Sequence, residues 1–236
     1  MGFFQDNLIP IFKKRELLFQ ESYKEAENVF SFVFEKEKDM TWKAGQYGLF
    51  SITHKKIKNP TKPFSLSSSP TENVIKITTV IPDEPSDFKK ALLELKKGSK
   101  VSMSGPLGPF YLKDNRPALL VAGGIGITPF RSIVKRLSDE SSGFGNKVHL
   151  LYMDSQQSFL FKNEWDEISK QASLNVNYLT SRDELYLKIN EFLTSYKDEA
   201  NYFIAGPKSM TDSISTHLLN QNVHKKNITK DVFTGY

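Results

Sequence analysis

The sequence predicts a two-domain α+β protein: an antiparallel β-barrel over residues 1–112, then an α/β domain with a parallel sheet over residues 118–236. Three observations carry this. Short runs of alternating apolar and polar residues fill the first half, whereas apolar runs alternating with helical spacing fill the second. The period changes at a Gly-rich stretch, Leu119-Leu120-Val121-Ala122-Gly123-Gly124-Ile125-Gly126-Ile127-Thr128-Pro129.

In the first half, residues 29–34 alternate with Phe30, Phe32 and Phe34 on one face, the pattern of a half-buried strand. Lys43-Ala44-Gly45-Gln46 turns the chain into a second strand over 47–52. A loop with Asn59-Pro60 leads to the extended, polar segment Lys62-Pro63-Phe64-Ser65-Leu66-Ser67-Ser68-Ser69-Pro70. Residues 74–81 read as a strand with Ile75, Ile77 and Ile81 sharing a face. Phe88, Ala91, Leu92 and Leu95 follow the spacing of one short helix before a strand over 100–104. Short antiparallel strands with one inserted helix predict a small closed barrel. Gly105-Pro106-Leu107-Gly108-Pro109-Phe110 ends it, and 113–117 reads as the linker.

In the second half, 119–122, 148–153, 174–179 and 202–205 read as strands. Helical patterns lie between and after them: Phe161, Trp165, Ile168; Tyr186, Ile189, Phe192, Leu193; Met210, Ile214, Leu218. This alternation predicts a parallel sheet covered on both faces, with ligands at the carboxyl ends of its strands. The Gly-rich stretch itself scans as strand, tight turn and helix, with Thr128 as N-cap and Pro129 at the first helical position. Its glycines let the backbone pass close to a bulky anion, and the N–H groups at the helix start point toward such a group. A phosphate or dinucleotide site and a purely structural turn both satisfy the spacing.

Composition narrows the classes. Hydrophobic residues at 39% with 25% charged residues fit a soluble globular chain. The sequence lacks the roughly 18 uninterrupted apolar residues of a membrane span. Lys13, Lys14 and Arg15 interrupt the first twenty residues, so no signal peptide is expected and the cytoplasm is the expected compartment. The absence of cysteine rules out disulfides, a thiolate zinc site, a catalytic thiol and a cysteine-held iron–sulfur cluster. His54, His149, His217 and His224 have no metal-ligand spacing, so no metal is expected. The formal charge of +5 is concentrated early: residues 1–112 hold 17 Lys/Arg against 13 Asp/Glu, and 113–236 hold 15 against 14. Lys55-Lys56-Ile57-Lys58, Lys62, Lys89-Lys90 and Lys96-Lys97 carry the excess, as a solvated face or as a docking surface for an acidic partner. No nucleic-acid motif accompanies these lysines.

Five segments, in order, resemble one family, the ferredoxin–NADP reductase-like flavoproteins. Lys62-Pro63-Phe64-Ser65 is similar to its R-x-Y-S flavin motif, the segment from Gly105 to Phe110 to its G-P-x-G-x-F, and that from Gly123 to Pro129 to its nucleotide loop. Ala205-Gly206-Pro207 is similar to its C-G-P, and Asp231-Val232-Phe233 to its C-terminal acid-x-aromatic. The resemblance spans nearly the whole chain. It implies an FAD-binding barrel, an NAD(P)-binding domain, hydride transfer from NADPH to FAD with NADH as the alternative donor, and electron delivery to an acidic carrier such as ferredoxin or flavodoxin. A small-molecule acceptor, free flavin or a ferric chelate, is one alternative; a non-catalytic flavin-binding subunit is another. A monomer is expected.

The resemblance also implies residue roles. Lys62 and Pro63 would lie at the FAD pyrophosphate, Phe64 on the isoalloxazine, and Ser65 at flavin N5. Leu66, Thr79 and Ile81 complete the flavin contacts, and Ser86 would hold the pyrophosphate or act as an ordinary N-cap. Gly123, Gly124, Gly126, Thr128, Pro129, Ala205, Gly206 and Pro207 would meet the nicotinamide nucleotide. Ser181 and Arg182, joined by Tyr186 and Lys188, would hold a 2′-phosphate, while Asp154 would suit a free 2′-hydroxyl. Asp231 and Phe233 would act at the reacting rings, and Tyr236 at the adenine. Three departures stand out: Lys62 lacks the arginine fork, Phe64 lacks the tyrosine hydroxyl, and Ala205 replaces a cysteine.

Overall fold

The computed structural model describes residues 14–140, 148–171 and 174–233, so Tyr236 lies outside the described residues. The chain divides into two compact units. One runs to Tyr111 and takes in Arg131–Ile133; the other runs from Leu112 to Phe130 and resumes at Val134.

The first unit holds β1 (Lys14–Ala26), β2 (Val29–Glu35), β3 (Tyr47–Ile52), β4 (Thr61–Ser65), β5 (Val74–Val80), helix α1 (Asp87–Leu93) and β6 (Lys100–Leu107). Its six strands pair in the order β4-β3-β6-β1-β2-β5, and each adjacent pair is antiparallel. The expected closed barrel is corrected here: the sheet curls but stays open, with β4 and β5 as its two edges. Pro63 lacks an N–H, which suits an edge strand. The residues after β4 span the gap instead. The Ser67 N–H donates to the Lys76 carbonyl (2.8 Å), and the Lys76 N–H donates to Ser68 Oγ (2.9 Å). Two strands escaped the alternation rule. β1 has six charged residues among its 13 and buries little beyond Leu17 and Phe19, while β4 carries a proline.

Inside the curl, Phe19, Phe32, Phe34, Phe50, Ile75 and Ile77 form the core with Phe88, Ala91 and Leu92 of α1. Arg131–Ile133 add a polar clamp to this unit. Arg131 donates to the Ser67 carbonyl (2.7 Å) and to both oxygens of Glu72 (2.8 and 3.0 Å), and Ser132 Oγ donates to the Ser68 carbonyl (2.7 Å).

The second unit holds β7 (Ala118–Gly123), a 3₁₀ turn (Gly124–Ile127), α2 (Thr128–Asp139), β8 (Val148–Met153), α3 (Lys162–Gln171) and β9 (Leu174–Leu179). It continues with α4 (Arg182–Tyr196), β10 (Asn201–Pro207), α5 (Lys208–Asn220) and β11 (Ile228–Phe233). The sheet is parallel in the order β11-β10-β7-β8-β9. β7 is buried along its whole length, as expected of a central strand covered on both faces. Segment 113–117, expected as the linker, is fastened to this unit at the amino ends of the strands. Arg116 donates to Asp114 (3.0 Å), Asn201 (2.6 Å) and Asn227 (3.2 Å), and the Asn201 N–H donates to the Pro117 carbonyl (2.8 Å). No helix among the described residues is long and apolar enough to cross a membrane.

Candidate functional site

In the first unit, β4 presents its residues against β3 with Phe64 opposite Gly48 and Ser65 opposite Tyr47. Lys62 and Pro63 are exposed, Phe64 is half-buried and Ser65 is buried. One face of Phe64 stacks near Phe88 of α1, with ring centroids 5.6 Å apart and planes at 28°. Leu66 and Ile81 belong to the core beneath it, and Thr79 is buried at the end of β5, opposite Phe30. Ser86 caps α1, its hydroxyl accepting from the Lys89 N–H at 3.5 Å, so the ordinary capping role is present.

Sequence reasoning missed one residue here. Lys89 lies beside Lys62, and its ammonium is held below its ordinary pKa by burial and by the Lys62 charge. A buried cation that feels the charge of a second one is a group that a bound anion, such as the diphosphate of a flavin dinucleotide, would stabilise. The Lys89-Lys90 doublet was the signal in the sequence; only the fold shows that Lys89 is buried and Lys90 exposed.

In the second unit, the strand order reverses between β7 and β10. The first crossover runs from β7 toward β8, whereas β10 returns to the other side of β7. Ligands of such sheets bind at the carboxyl ends on either side of this reversal. Gly123, Gly124 and Gly126 follow β7, and Ala205, Gly206 and Pro207 close β10, with Ala122 paired to Ala205.

The glycines divide the two readings of the loop between them. A Cβ on Gly126 would meet the Ala205 carbonyl and lie 2.7 Å from the Gly206 nitrogen, so Gly126 serves packing. A Cβ on Gly123 would meet Met210 Sδ at 2.5 Å. Gly124, at φ +51°, would meet nothing within 4 Å. Its backbone is the one that stands beside open space, as close approach of a phosphate requires.

The expected N-cap is corrected. Ile127 occupies that position, and Thr128 is the first helical residue, its hydroxyl donating to the Ile125 carbonyl (3.1 Å). The 3₁₀ turn runs straight into α2, so the hydroxyl serves the turn, and Pro129 follows in the first turn of the helix. Thr128 and Pro129 are both buried.

β11 brings the tail alongside. Asp231 pairs with Ala205, Val232 with Gly206 and Phe233 with Pro207, which places the acid and the aromatic at the carboxyl end of β10. Both are half-buried. One turn back, Lys208 and Lys230 hold the Asp212 carboxyl down at about 2. At the far edge, Ser181 is the N-cap of α4 and Arg182 stands exposed in its first turn. Tyr186 packs edge-on against His217 of α5 (4.9 Å), and Lys188 pairs with Glu191 (2.7 Å). Both therefore engage other side chains. Among the described residues no group of three His, Asp or Glu side chains could hold a metal ion.

The family described as "Oxidoreductase NAD-binding domain" matches residues 120–216. The chain is 28% identical over 151 residues to the toluate 1,2-dioxygenase electron transfer component of Pseudomonas putida, covering 59% of this chain and 44% of that protein. It is 26% identical over 240 residues to flavohemoprotein A of Dictyostelium discoideum, covering 93% of this chain and 60% of that one. The chain thus spans less than two thirds of these relatives. Among solved structures, ferredoxin–NADP⁺ reductase from Plasmodium falciparum superimposes with a TM-score of 0.80 at 19% identity, over 93% of this chain and 96% of the other. Residues 120–216 thus match an oxidoreductase nucleotide-binding family, and the two-sheet fold is the one seen in ferredoxin–NADP⁺ reductase.

Proposed function

We propose that the chain takes a hydride from NADPH, with NADH also accepted, and passes electrons to a separate acidic carrier such as ferredoxin or flavodoxin. In this reading residues 1–112 bind FAD and residues 118–236 bind the nucleotide. The observation that carries it is the convergence of Gly124, Ala205-Gly206-Pro207, Asp231 and Phe233 at the reversal of the parallel sheet. When bound, FAD accepts two electrons as a hydride and can release them singly. The protein supplies position and charge. Lys62 and Lys89 would neutralise the diphosphate, Phe64 would offer its accessible ring surface, and the Ser65 hydroxyl would donate to the nitrogen that receives the hydride. Gly124 would let the nucleotide backbone approach, Phe233 would cover the reacting ring, and Arg182 would attract a 2′-phosphate.

The purified protein is expected to be yellow and to bleach with NAD(P)H. Ser65→Ala should slow flavin reduction about tenfold in stopped flow, the value of one good hydrogen bond, while FAD occupancy changes little. An unchanged rate removes Ser65 from the site.

Lys56, Lys58, Lys90, Lys96 and Lys97 are exposed, whereas Lys55 pairs with Glu94 and Lys100 with Glu16. Attraction of an acidic carrier by such a surface is screened over about 8 Å at physiological ionic strength. Turnover with ferredoxin or flavodoxin should therefore fall steeply with salt, and ferricyanide reduction should fall less. Equal salt dependence would leave these lysines as a solvated face.

A further inference from the structure

Gly123 closes β7 with φ −118° and ψ 118°, an extended backbone that any residue adopts, so its conformation does not require glycine. Its surroundings do. Met210, from the first turn of α5, fills the place of the absent side chain: a Cβ on Gly123 would lie 2.5 Å from Met210 Sδ, 3.0 Å from Met210 Cε and 3.2 Å from Pro207 Cδ. The sulfur therefore rests on the β7 backbone one residue before Gly124, the glycine that stands beside open space. The neighbouring contacts are backbone on backbone. A Cβ on Gly206 would meet the Gly123 carbonyl, Cα and nitrogen at 3.1–3.2 Å, and one on Gly126 would meet the Ala205 carbonyl at 2.3 Å. Such contacts cannot yield by a rotamer change, whereas an unbranched thioether chain can.

A second thioether flanks the same glycine. Met153 ends β8 and pairs with Gly123 across the sheet, and Met153 and Met210 are both half-buried and packed against one core cluster. Met40 and Met103, in the first unit, are 2% and 0% exposed. Among the described methionines, the two that solvent reaches thus stand at the carboxyl end of the parallel sheet, on either side of Gly123.

We propose that Met210 is a methionine-oxidation site whose sulfoxide weakens nucleotide binding at Gly124. This rests on the reading above that the nucleotide backbone approaches there. The oxidant is hydrogen peroxide: its O–O bond breaks, one oxygen bonds to the sulfur, and the other leaves as water with both peroxide protons. Sulfur gives up two electrons and the peroxide takes them. The new oxygen turns an apolar contact polar, on a sulfur already in contact with the β7 backbone. Either α5 and β7 separate locally or the sulfur turns outward, and both movements remove the packing that seats the Gly123-Gly124 backbone.

The test compares the flavin-loaded full chain before and after hydrogen peroxide, quenched with catalase, by peptide mass spectrometry and by calorimetric binding of NADP⁺ and NAD⁺. Met210 should gain one oxygen under conditions that leave Met40 and Met103 unmodified. The tighter of the two nucleotides should then bind about tenfold more weakly, the effect of one badly placed polar group. Methionine sulfoxide reductase should restore the affinity. Met210→Leu, a volume-conserving change, should bind like the parent and no longer respond to peroxide, whereas Met153→Leu should still respond. Met210→Gln, which carries an uncharged polar end, should bind weakly with no peroxide added. Oxidised Met210 with unchanged affinity, a response that persists in Met210→Leu, or a Met210 that stays a thioether while Met153 is oxidised would each overturn the proposal. A parent that binds neither nucleotide before peroxide overturns the nucleotide reading itself, and this proposal with it.

Discussion

Replacing Gly126 with alanine should lower stability by about 3 kcal/mol or more, the upper end of the overpacking range. The new methyl would press on backbone, the Ala205 carbonyl and the Gly206 nitrogen at 2.7 Å, and backbone within two paired strands has no rotamer to change. For a chain of this size that corresponds to a melting temperature roughly 6–12 °C lower in scanning calorimetry. Gly124→Ala makes the control. Its Cβ meets nothing within 4 Å, so its cost is the left-handed backbone alone, about 1–2 kcal/mol, and its main effect should fall on nucleotide affinity. A Gly126→Ala protein that melts like the parent would show that the loop closes on β10 less tightly than its geometry states.

The second large effect is expected at Arg131. Its guanidinium is almost wholly buried and holds Glu72, whose side chain is 21% exposed. Arg131→Met leaves that carboxylate without its cation and should cost about 3–5 kcal/mol, whereas Glu72→Gln, which keeps a polar partner, should cost about 1.5–3 kcal/mol. The pair also sets an acid limit. Burial works to raise the Glu72 pKa, but the hydrogen bond and charge of Arg131, the Ser69 N–H and the Lys76 charge outweigh it and hold the group below 4.5. The folded protein therefore binds this proton less tightly than the unfolded chain does. The resulting stability is complete above the ordinary value of 4.5 and is lost as pH falls through the lower folded value. Glu72→Gln should flatten that part of the acid-unfolding curve, and an unaltered curve would mean that Glu72 is paired equally well in the unfolded chain.

Sequence period made the parallel sheet readable because a central strand such as β7 is apolar throughout and its turn is marked by glycines. The first sheet was readable only where one face is buried. β1 is mostly exposed beyond Phe19, so its alternation is erased by charge, and β4 hides behind the proline that its edge position permits. At the nucleotide loop the spacing left phosphate binding and packing open, and the fold assigns packing to Gly126 and open space to Gly124. Ser181 shows the reverse lesson. S-x-x-E is a helix-start signature, and the capping box it forms accounts for Ser181 without a phosphate. Lys89 was invisible as a site residue, because nothing local tells a buried lysine from its exposed neighbour Lys90.

The pairing of β7 with β10 sets an order of events during synthesis. Roughly eighty residues separate Ala118 from Asn201, so one edge of the most apolar strand waits for its neighbour while β8 and β9 are made. In that interval the strand offers a bare ladder to any passing segment, and the glycine loop has no Ala205 or Gly206 to rest against. A nascent chain should therefore stay protease-sensitive and unable to retain nucleotide until Pro207 has cleared the ribosome, with the last strand, β11, then covering the β10 edge that remains.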